Sequence, residues 1–483
     1  MSHRAAVAVS LFAVAMVVTV AIGVLSGRGR AKSLTEWSIS GRGLGTLFVL
    51  LLMAGESYTS FSFLGAAGWS YRYGVPIFYL IAYLSTGLVV AYFVAPLLWT
   101  YCARHRLVSI ADIAEHRFGS RRLGVVVAML CTAFLIPYIQ LQIQGMGVVV
   151  HAMSYGAVDL KVAAVVSFAV AETFILASGL RGAAWVSVLK DGLAVLSVAF
   201  LAIWVPWHYF RGPGELLDRL VTERPQWLTF PGAGGGTFGA SWYVSTILLN
   251  VVTICIFPTT VAGYLSAANP TALRRNSILL PWYQLLLVVP MLIGAAALFV
   301  LPGLANSDLA LYELVTDSLP APLVAVIGIA GALSAIVPMS VFLVAIGTLW
   351  GRTILGGGTA GSGRQRGWSQ LVCVVVGAIA LAGALLYPKA LVNLSVLSYE
   401  GIAQLLPAVL LGLYWRRLTA AGVATGLIIG SALVFGLHAA GRDPLFGVNG
   451  GLIALAANVV IASAISLIPR RTRTLRIDIA LPG

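Results

Sequence analysis

The sequence has little charge and few cysteines. Only 10% of its 483 residues are charged, whereas 59% are hydrophobic, and an average soluble domain has roughly one-quarter charged and one-half apolar residues. This composition excludes a soluble globular protein and indicates a polytopic membrane protein. The cysteines lie in or beside apolar runs without metal-ligand spacing, which argues against a disulfide framework. They are Cys102, Cys131, Cys255 and Cys373.

Motifs of catalysis are also missing. The six histidines are scattered, and neither an HExxH nor a Walker A sequence occurs. The chain is therefore predicted not to be an enzyme and to use no cofactor besides a coupling ion, H+ or Na+. Its net charge of +14 comes from short basic groups between apolar runs, which indicate membrane topology rather than nucleic-acid binding. The lipid bilayer is its predicted large partner.

Apolar runs of about 20 residues, enough to cross a bilayer, occur thirteen times. If successive spans cross the membrane in alternating directions and the N-terminus is external, the C-terminus is cytoplasmic. Most basic residues then lie in cytoplasmic loops, as the positive-inside rule requires. The predicted location is the cell inner (plasma) membrane. The predicted spans are 5–26, 44–70, 76–101, 123–151, 158–180, 184–209, 241–264, 278–302, 321–350, 369–387, 390–415, 419–439 and 450–468.

The second span has a polar centre. Residues 54–62 read AGESYTSFS within an otherwise apolar run. Such groups at membrane depth favour an interrupted helix whose freed backbone lines a cavity, and the alternative is an intact, packed helix. We predict a break from Gly55 to Thr59. The substrate-binding candidates of this segment are Gly55, Glu56, Ser57, Tyr58 and Thr59.

The seventh span has a similar polar and breakable centre, formed by Asn250, Thr253, Pro258, Thr259, Thr260 and Gly263. If spans two to six and seven to eleven form two units, their odd number of spans gives inverted topology. Paired interrupted helices then indicate a solute site at the midplane. For each further candidate the alternative is an interhelical hydrogen bond that serves packing. These candidates are Tyr138 and Gln142, with Gln140 and Gln144 on the alternative face of the fourth span, and Asn250, Thr253, Tyr399, Glu400 and Gln404.

Six segments resemble, in order and spacing, the sodium:solute symporter family. The resemblance covers spans two to eleven and implies an all-α LeuT-type fold of five-plus-five inverted repeats, with about 13 helices, that works by alternating access. It implies a small-molecule solute as partner and a monomer sufficient for transport, and it leaves the oligomeric state open. The segments are GRGLG (41–45), SIADIAEHRFGSRRLG (109–124), LIPYIQLQIQGMG (135–147), GLRGAAWVSVLKDG (179–192), PTTVAGYLSAANP (258–270) and YEGIAQLLPAVLLGLYWRR (399–417).

MAGESYTSFSFLG together with LIPYIQLQIQG resembles the monocarboxylate permease branch of this family. That branch takes up pyruvate, lactate, acetate or propionate, and the alternative is a sodium-coupled symporter for another solute such as proline or sugar. The implied division of the chain is a leading helix and cytoplasmic loop (1–43), a first repeat (44–210), an extracellular loop (211–240), a second repeat (241–417), and two trailing helices with a short cytoplasmic tail (418–483).

The ninth span departs from the family. Many relatives bind sodium with backbone carbonyls of the broken second span and with an alanine and two adjacent Ser/Thr residues on the ninth. Matched onto that pattern, Ser334 stands at the alanine, and Val337 and Pro338 replace the hydroxyl pair. A hard cation that prefers oxygen ligands loses two of them, so the sodium site is predicted to be altered. Ser334 and Ser340 are the alternative donors if the register shifts by a turn.

The sixth span carries Lys190 and Asp191 where common relatives have glutamine and a small residue. An ammonium here would stand where sodium sits in relatives, and burial disfavours the charged form of a lysine. Our hypothesis is proton coupling through Lys190, with Asp191 or Glu56 as the countercharge. The alternatives are a structural pair between Lys190 and an acid, and a lysine that snorkels to the cytoplasmic interface.

Overall fold

The computed structural model describes residues 2–27, 33–233, 237–356 and 362–468. The predicted cytoplasmic tail and the basic loop 28–32 lie outside the described residues. Within them, regular structure is helical. The α-helices are α1 (His3–Gly27), α2 (Leu34–Ile39), α3 (Thr46–Ser57), α4 (Ala66–Tyr73), α5 (Tyr79–His105), α6 (Ile110–Phe118), α7 (Arg121–Met153), α8 (Leu160–Tyr209), α9 (Pro213–Glu223), α10 (Ala240–Ile256), α11 (Pro258–Ser266), α12 (Pro270–Gln284), α13 (Val288–Val300), α14 (Ala310–Ser318), α15 (Ala321–Leu349), α16 (Ser362–Leu386), α17 (Leu391–Ala403), α18 (Gly412–Tyr414), α19 (Ala420–Ala439) and α20 (Gly450–Leu467).

The number of membrane spans follows from these lengths. In the described part of the chain, ten continuous helices and two bent pairs are long and apolar enough to cross a bilayer. Helix α8 has 50 residues, more than twice the roughly 20 that one crossing needs, so it is long enough for two spans. It divides at Gly179, where φ is +60° and a Cβ would lie 2.5 Å from the Trp37 ring. Counting α8 as two spans gives the thirteen that the sequence predicts.

The second predicted span is interrupted, as expected. Helix α3 ends at Ser57, and a π-helical turn over Phe61–Gly65 leads into α4 after a bend of 50°. Tyr58 leaves the helical region with φ −97° and ψ 82°. The predicted break began too early, because Gly55 and Glu56 still belong to the last turn of α3.

The seventh predicted span is interrupted in the same way. Helices α10 and α11 meet at a bend of 42° around Phe257, whose ψ is 130°. Pro258 opens α11, where the missing N–H of proline costs no helical hydrogen bond. Leu44, just before α3, exchanges backbone hydrogen bonds with Ser266 and Ala268 (3.0 and 2.9 Å), so the end of one broken span is joined to the start of the other.

The core is organised around α15. The most apolar stretch of this helix is entirely buried, and it packs against α7 and α8. Since even a membrane helix normally exposes a face to lipid, complete burial means that protein surrounds α15 on all sides. Helix α1, in contrast, buries only 22% of its apolar stretch and lies at the periphery.

The long loop after α8 folds back onto α4. Trp227 is buried, and its indole N–H donates to the Ser70 carbonyl at 2.6 Å. A Cβ on Gly232 would lie 2.1 Å from the Tyr73 carbonyl oxygen, so glycine permits this approach. The predicted extracellular loop 211–240 is therefore a packed cover over the second half of a broken span.

Candidate functional site

The ammonium group of Lys190 lies at the break after α3. Its Nζ atom is 3.0 Å from the Gly55 carbonyl oxygen, 3.1 Å from that of Tyr58 and 2.9 Å from Oδ1 of Asp191. The side chain is fully buried. An ammonium has three N–H donors and no acceptor, so three oxygen acceptors match it. This burial is incompatible with snorkelling to the interface and leaves the other two interpretations of Lys190 open.

The surroundings of Lys190 fit the group closely. A Cβ on Gly55 would lie 3.2 Å from both Nζ of Lys190 and Oγ of Ser187, so the absence of a side chain permits the approach of α8. Asp191 also accepts a hydrogen bond from the Tyr283 hydroxyl at 3.1 Å, while its Oδ2 is buried without a partner among the described residues. One acid and one tyrosine thus hold the lysine in place.

The carboxylate of Glu56 joins the two broken spans. It accepts hydrogen bonds from the hydroxyls of Thr259 and Thr260, the latter at 3.1 Å. Both threonines lie in the first turn of α11, where the helix dipole places partial positive charge. Glu56 is therefore bound to the start of the second interrupted span and makes no ion pair with Lys190.

A cavity lies beside the break. Its volume is about 30 Å³, which is room for about two water molecules. Tyr83 and Tyr399 pack edge to face across it, with ring centroids 5.4 Å apart. Its polar lining combines hydroxyls with one acid. The lining residues with polar side chains are Glu56, Ser57, Ser62, Tyr83, Tyr138, Thr260, Tyr264 and Tyr399.

Other predicted residues shape the break instead of lining this cavity. The Oε1 atom of Gln142 accepts from the Ser60 N–H at 3.3 Å, and the hydroxyl oxygen of Thr59 accepts from the Phe61 N–H at 3.1 Å. These bonds satisfy backbone donors that the interruption leaves free. On the alternative face of α7, Gln140 donates to the Tyr387 carbonyl, away from the cavity.

Three residues predicted to bind the solute lie away from this cavity. Asn250 is buried on α10, and the hydroxyl of Thr253 donates to the Leu249 carbonyl in its own helix. Gln404 donates to the carbonyls of Glu400 and Gly451 and so connects α17 to α20. None of the three is among the residues that line the cavity, and their role in solute binding stays a prediction.

The expected substitutes for a sodium ligand are already bonded. Ser334 donates to the Ala330 carbonyl and Ser340 to that of Val337, both within α15. Neither Val337 nor Pro338 has a side-chain oxygen. Both serine hydroxyl oxygens keep their lone pairs, but the carbonyls of the break face Lys190, and alteration of the sodium site stays a prediction.

The sequence analysis did not predict some of the residues at this site. Tyr83, Tyr264 and Tyr283 are single tyrosines in apolar helices, and they carry no periodic signal. Thr259 and Thr260 did leave a signal, because they directly follow the proline in the polar centre of the seventh span. Their bond to Glu56 depends on how the two repeats pack, which spacing alone does not define.

An ion pair lies at another point of contact between the two repeats. Arg352 Nε is 2.9 Å from Oδ2 of Asp112, which also accepts from the Val108 N–H at 2.9 Å. Burial raises the pKa of the Asp112 carboxyl, while the Arg352 guanidinium and the Val108 hydrogen bond act in the opposite direction. Val108 and Ala345 line a second, smaller cavity of about 10 Å³ beside the ion pair.

Known proteins are similar in sequence to this chain over most of its length. The model of the "Sodium:solute symporter family" matches residues 37–430. The chain is 33% identical to the "Uncharacterized symporter YhjB" of Bacillus subtilis over 96% of this chain and 97% of that protein. It is 26% identical to a "Monocarboxylate transport permease protein" of Rhizobium johnstonii, over 96% and 97%.

Solved structures share its fold. A Na+-coupled sialic acid symporter in a substrate-bound outward-open state matches with a TM-score of 0.78 at 16% identity, over 95% of this chain and 97% of its own. Mhp1, a nucleobase-cation-symport-1 family transporter, matches with a TM-score of 0.53 at 14% identity, over 89% and 93%. These likenesses confirm the predicted LeuT-type fold, and the chain belongs to the sodium:solute symporter family.

Proposed function

We propose that this protein imports a small monocarboxylate together with a proton by alternating access. Its family and fold support secondary symport. The observation that carries the coupling proposal is the contact of the Lys190 ammonium with the two carbonyls of the break. A cation of the protein itself stands where an external cation would have to bind, so the exchangeable charge is a proton.

The proton on Lys190 acts through its hydrogen bonds. The protonated amine donates one N–H to each of three acceptors: Gly55, Tyr58 and Asp191. A neutral amine has one donor fewer, so at least one contact is lost, and the Asp191 carboxylate is left buried without compensation. An uncompensated buried charge is strongly unfavourable. Proton release is therefore coupled to movement of α8 away from the break and to entry of water.

The cavity suits a small anion that accepts hydrogen bonds. Tyr83, Tyr138 and Tyr399 line it beside Ser57, and phenolic hydroxyls donate to a carboxylate without bringing in a second charge. At about 30 Å³ the cavity must widen to admit a solute, and a molecule of a few heavy atoms requires less widening than a sugar. The solute repels an ionised Glu56, and this repulsion is relieved when a proton enters with it. The relative named as a monocarboxylate transport permease supports the same solute class.

Uptake into vesicles tests the proposal. Proteoliposomes in sodium-free buffer receive an inward proton gradient and labelled pyruvate, lactate, acetate or propionate, with proline and glucose as comparison solutes. We expect pyruvate to accumulate above its level in protein-free vesicles, which correct for passive diffusion of the acid. Strict dependence on a sodium gradient would end the coupling proposal. Selective uptake of proline or glucose would overturn the solute class and leave the fold unaffected.

A further inference from the structure

A cluster of ligand-type side chains lies apart from the central cavity. It joins α17 to the hairpin of α19 and α20. His438, in the last turn of α19, has its Nε2 atom 2.8 Å from Oε2 of Glu400 on α17 and 3.8 Å from Oδ2 of Asp443 in the hairpin loop. One nitrogen and two carboxylate oxygens thus lie within 4.8 Å of one another. Three different elements contribute one atom each.

The local backbone holds the two acids in this arrangement. The Gly450 N–H donates to Oδ1 of Asp443 at 2.8 Å, which leaves Oδ2 facing His438. A Cβ on Gly451 would lie 2.5 Å from Glu400, so only glycine lets the start of α20 come this close to α17. The cluster is therefore a packed arrangement and not a chance meeting of surface side chains.

Glu400 has a close partner at one carboxylate oxygen, Oε2, which faces His438. It is only 1% exposed, and its Oε1 atom makes no hydrogen bond to any described residue. With a neutral imidazole, Glu400 and Asp443 together place two negative charges in this small volume. Buried charges are normally paired or coordinate a metal. A cation with two positive charges would neutralise the cluster.

We propose that Glu400, His438 and Asp443 form a binding site for a divalent transition-metal cation of the Zn²⁺ class. Imidazole nitrogen and carboxylate oxygens are zinc ligands at about 2.0–2.2 Å, whereas Mg²⁺ and Ca²⁺ prefer oxygen ligands alone. The side chain of His438 is 22% exposed, which gives the ion a path to the site and leaves a coordination position for water. The ion fixes α17 to the hairpin directly beside Tyr399, a wall of the central cavity.

Zinc titration of the purified full-length protein tests the site without any transported solute. Chelator-treated protein in detergent is titrated with ZnCl₂ in a calorimeter, with excess Mg²⁺ present. We expect one saturable site in the wild type, at least about tenfold weaker binding in His438→Ala and Asp443→Asn, and retained binding in His438→Cys, since a thiolate is also a zinc ligand. Because no solute is involved, failure of the proposed function leaves this result unaffected.

The control is the histidine pair His105 and His116, whose rings lie 4.2 Å apart far from this cluster in the chain. His105→Ala should bind zinc as the wild type does. Absence of a saturable site in the wild type overturns the proposal whether or not any variant folds. Equal affinity in wild type, His438→Ala and Asp443→Asn overturns it as well.

Discussion

Nζ of Lys190 lies 3.0 Å from the carbonyl oxygen of Gly55. In an uninterrupted helix that oxygen would accept from the N–H of Thr59, four residues later. Here the Thr59 N–H lies 3.5 Å from the Ser62 hydroxyl, and a lysine from another helix has taken its place. The open form of the backbone at this point is therefore held by a buried lysine of another helix.

Replacement of Lys190 by methionine should abolish accumulation driven by a pH gradient. Lys190→Met keeps an unbranched apolar chain but removes the donors to the break and leaves Asp191 without its cation. Loss of one partner of a buried ion pair typically costs about 3–5 kcal/mol. The measurements are uptake in sodium-free proteoliposomes and thermal denaturation, with the exposed Lys161→Met on the same helix as the control.

A double variant separates stability from coupling. Lys190→Met with Asp191→Asn removes both charges, so its thermal stability should return toward that of the wild type while proton-driven accumulation stays lost. If instead Lys190→Met alone accumulates solute as the wild type does under a pH gradient, coupling through this lysine is wrong.

Neutralisation of Glu56 should affect coupling more than passage of the solute. Glu56→Gln still accepts hydrogen bonds from the two threonines of α11, but it no longer exchanges a proton. Concentrative uptake should fall severalfold more than counterflow exchange. The control is Glu172→Gln, a buried carboxylate on α8 that is not among the residues lining the cavity. Equal loss of both activities in Glu56→Gln would indicate structural damage.

Alanine at Gly145 should distort the break from the side of α7. The added Cβ would lie 2.3 Å from Cβ of Ser60, so the interruption or α7 must shift, and overpacking of this kind costs about 1–3 kcal/mol. We expect a lower melting temperature and weaker uptake. Gly436→Ala is the matched control, because no atom within 4 Å opposes its Cβ. Wild-type stability and uptake in Gly145→Ala would contradict the observed packing.

Loss of the ion pair between Asp112 and Arg352 should open the smaller cavity. A maleimide should label Ala345→Cys, a residue of that cavity, severalfold faster when Asp112→Asn is added. Burial raises the pKa of Asp112, so protonation breaks the pair at a higher pH than for an exposed aspartate. The thiolate fraction of the cysteine falls with pH in both proteins, so the comparison is the ratio of the labelling rate without Asp112→Asn to the rate with it, and this ratio should rise toward one as the pH falls.

The exposed pair of Arg219 and Glu215 in α9 provides the control for this experiment. Arg219→Ala removes a solvent-screened ion pair, which contributes little, and should leave the labelling rate unchanged. Equal labelling rates with and without Asp112→Asn at every pH would mean that the ion pair does not close this cavity.

The sequence predicted the spans and both interruptions because lipid leaves no other place for such segments. A Gly-Glu-Ser-Tyr-Thr run within apolar residues must be buried by protein, and Pro258 removes a helical N–H donor in the polar centre of the seventh span. Tertiary contacts were harder to predict. Lys190 was recognised only because it departs from its relatives, and the break was predicted to begin at Gly55, three residues before α3 gives way at Tyr58. Tyr83 and Tyr283 face the site because of how their helices are rotated about their axes, and helix packing determines that rotation.

The cover formed by the loop after α8 has a consequence for control of the protein from outside the bilayer. Trp227 is hydrogen-bonded to Ser70, and Gly232 touches Tyr73, so any rearrangement of α4 must carry the loop with it. If the loop is extracellular as predicted, a binder directed at it would thus restrain a helix of a broken span without entering the lipid.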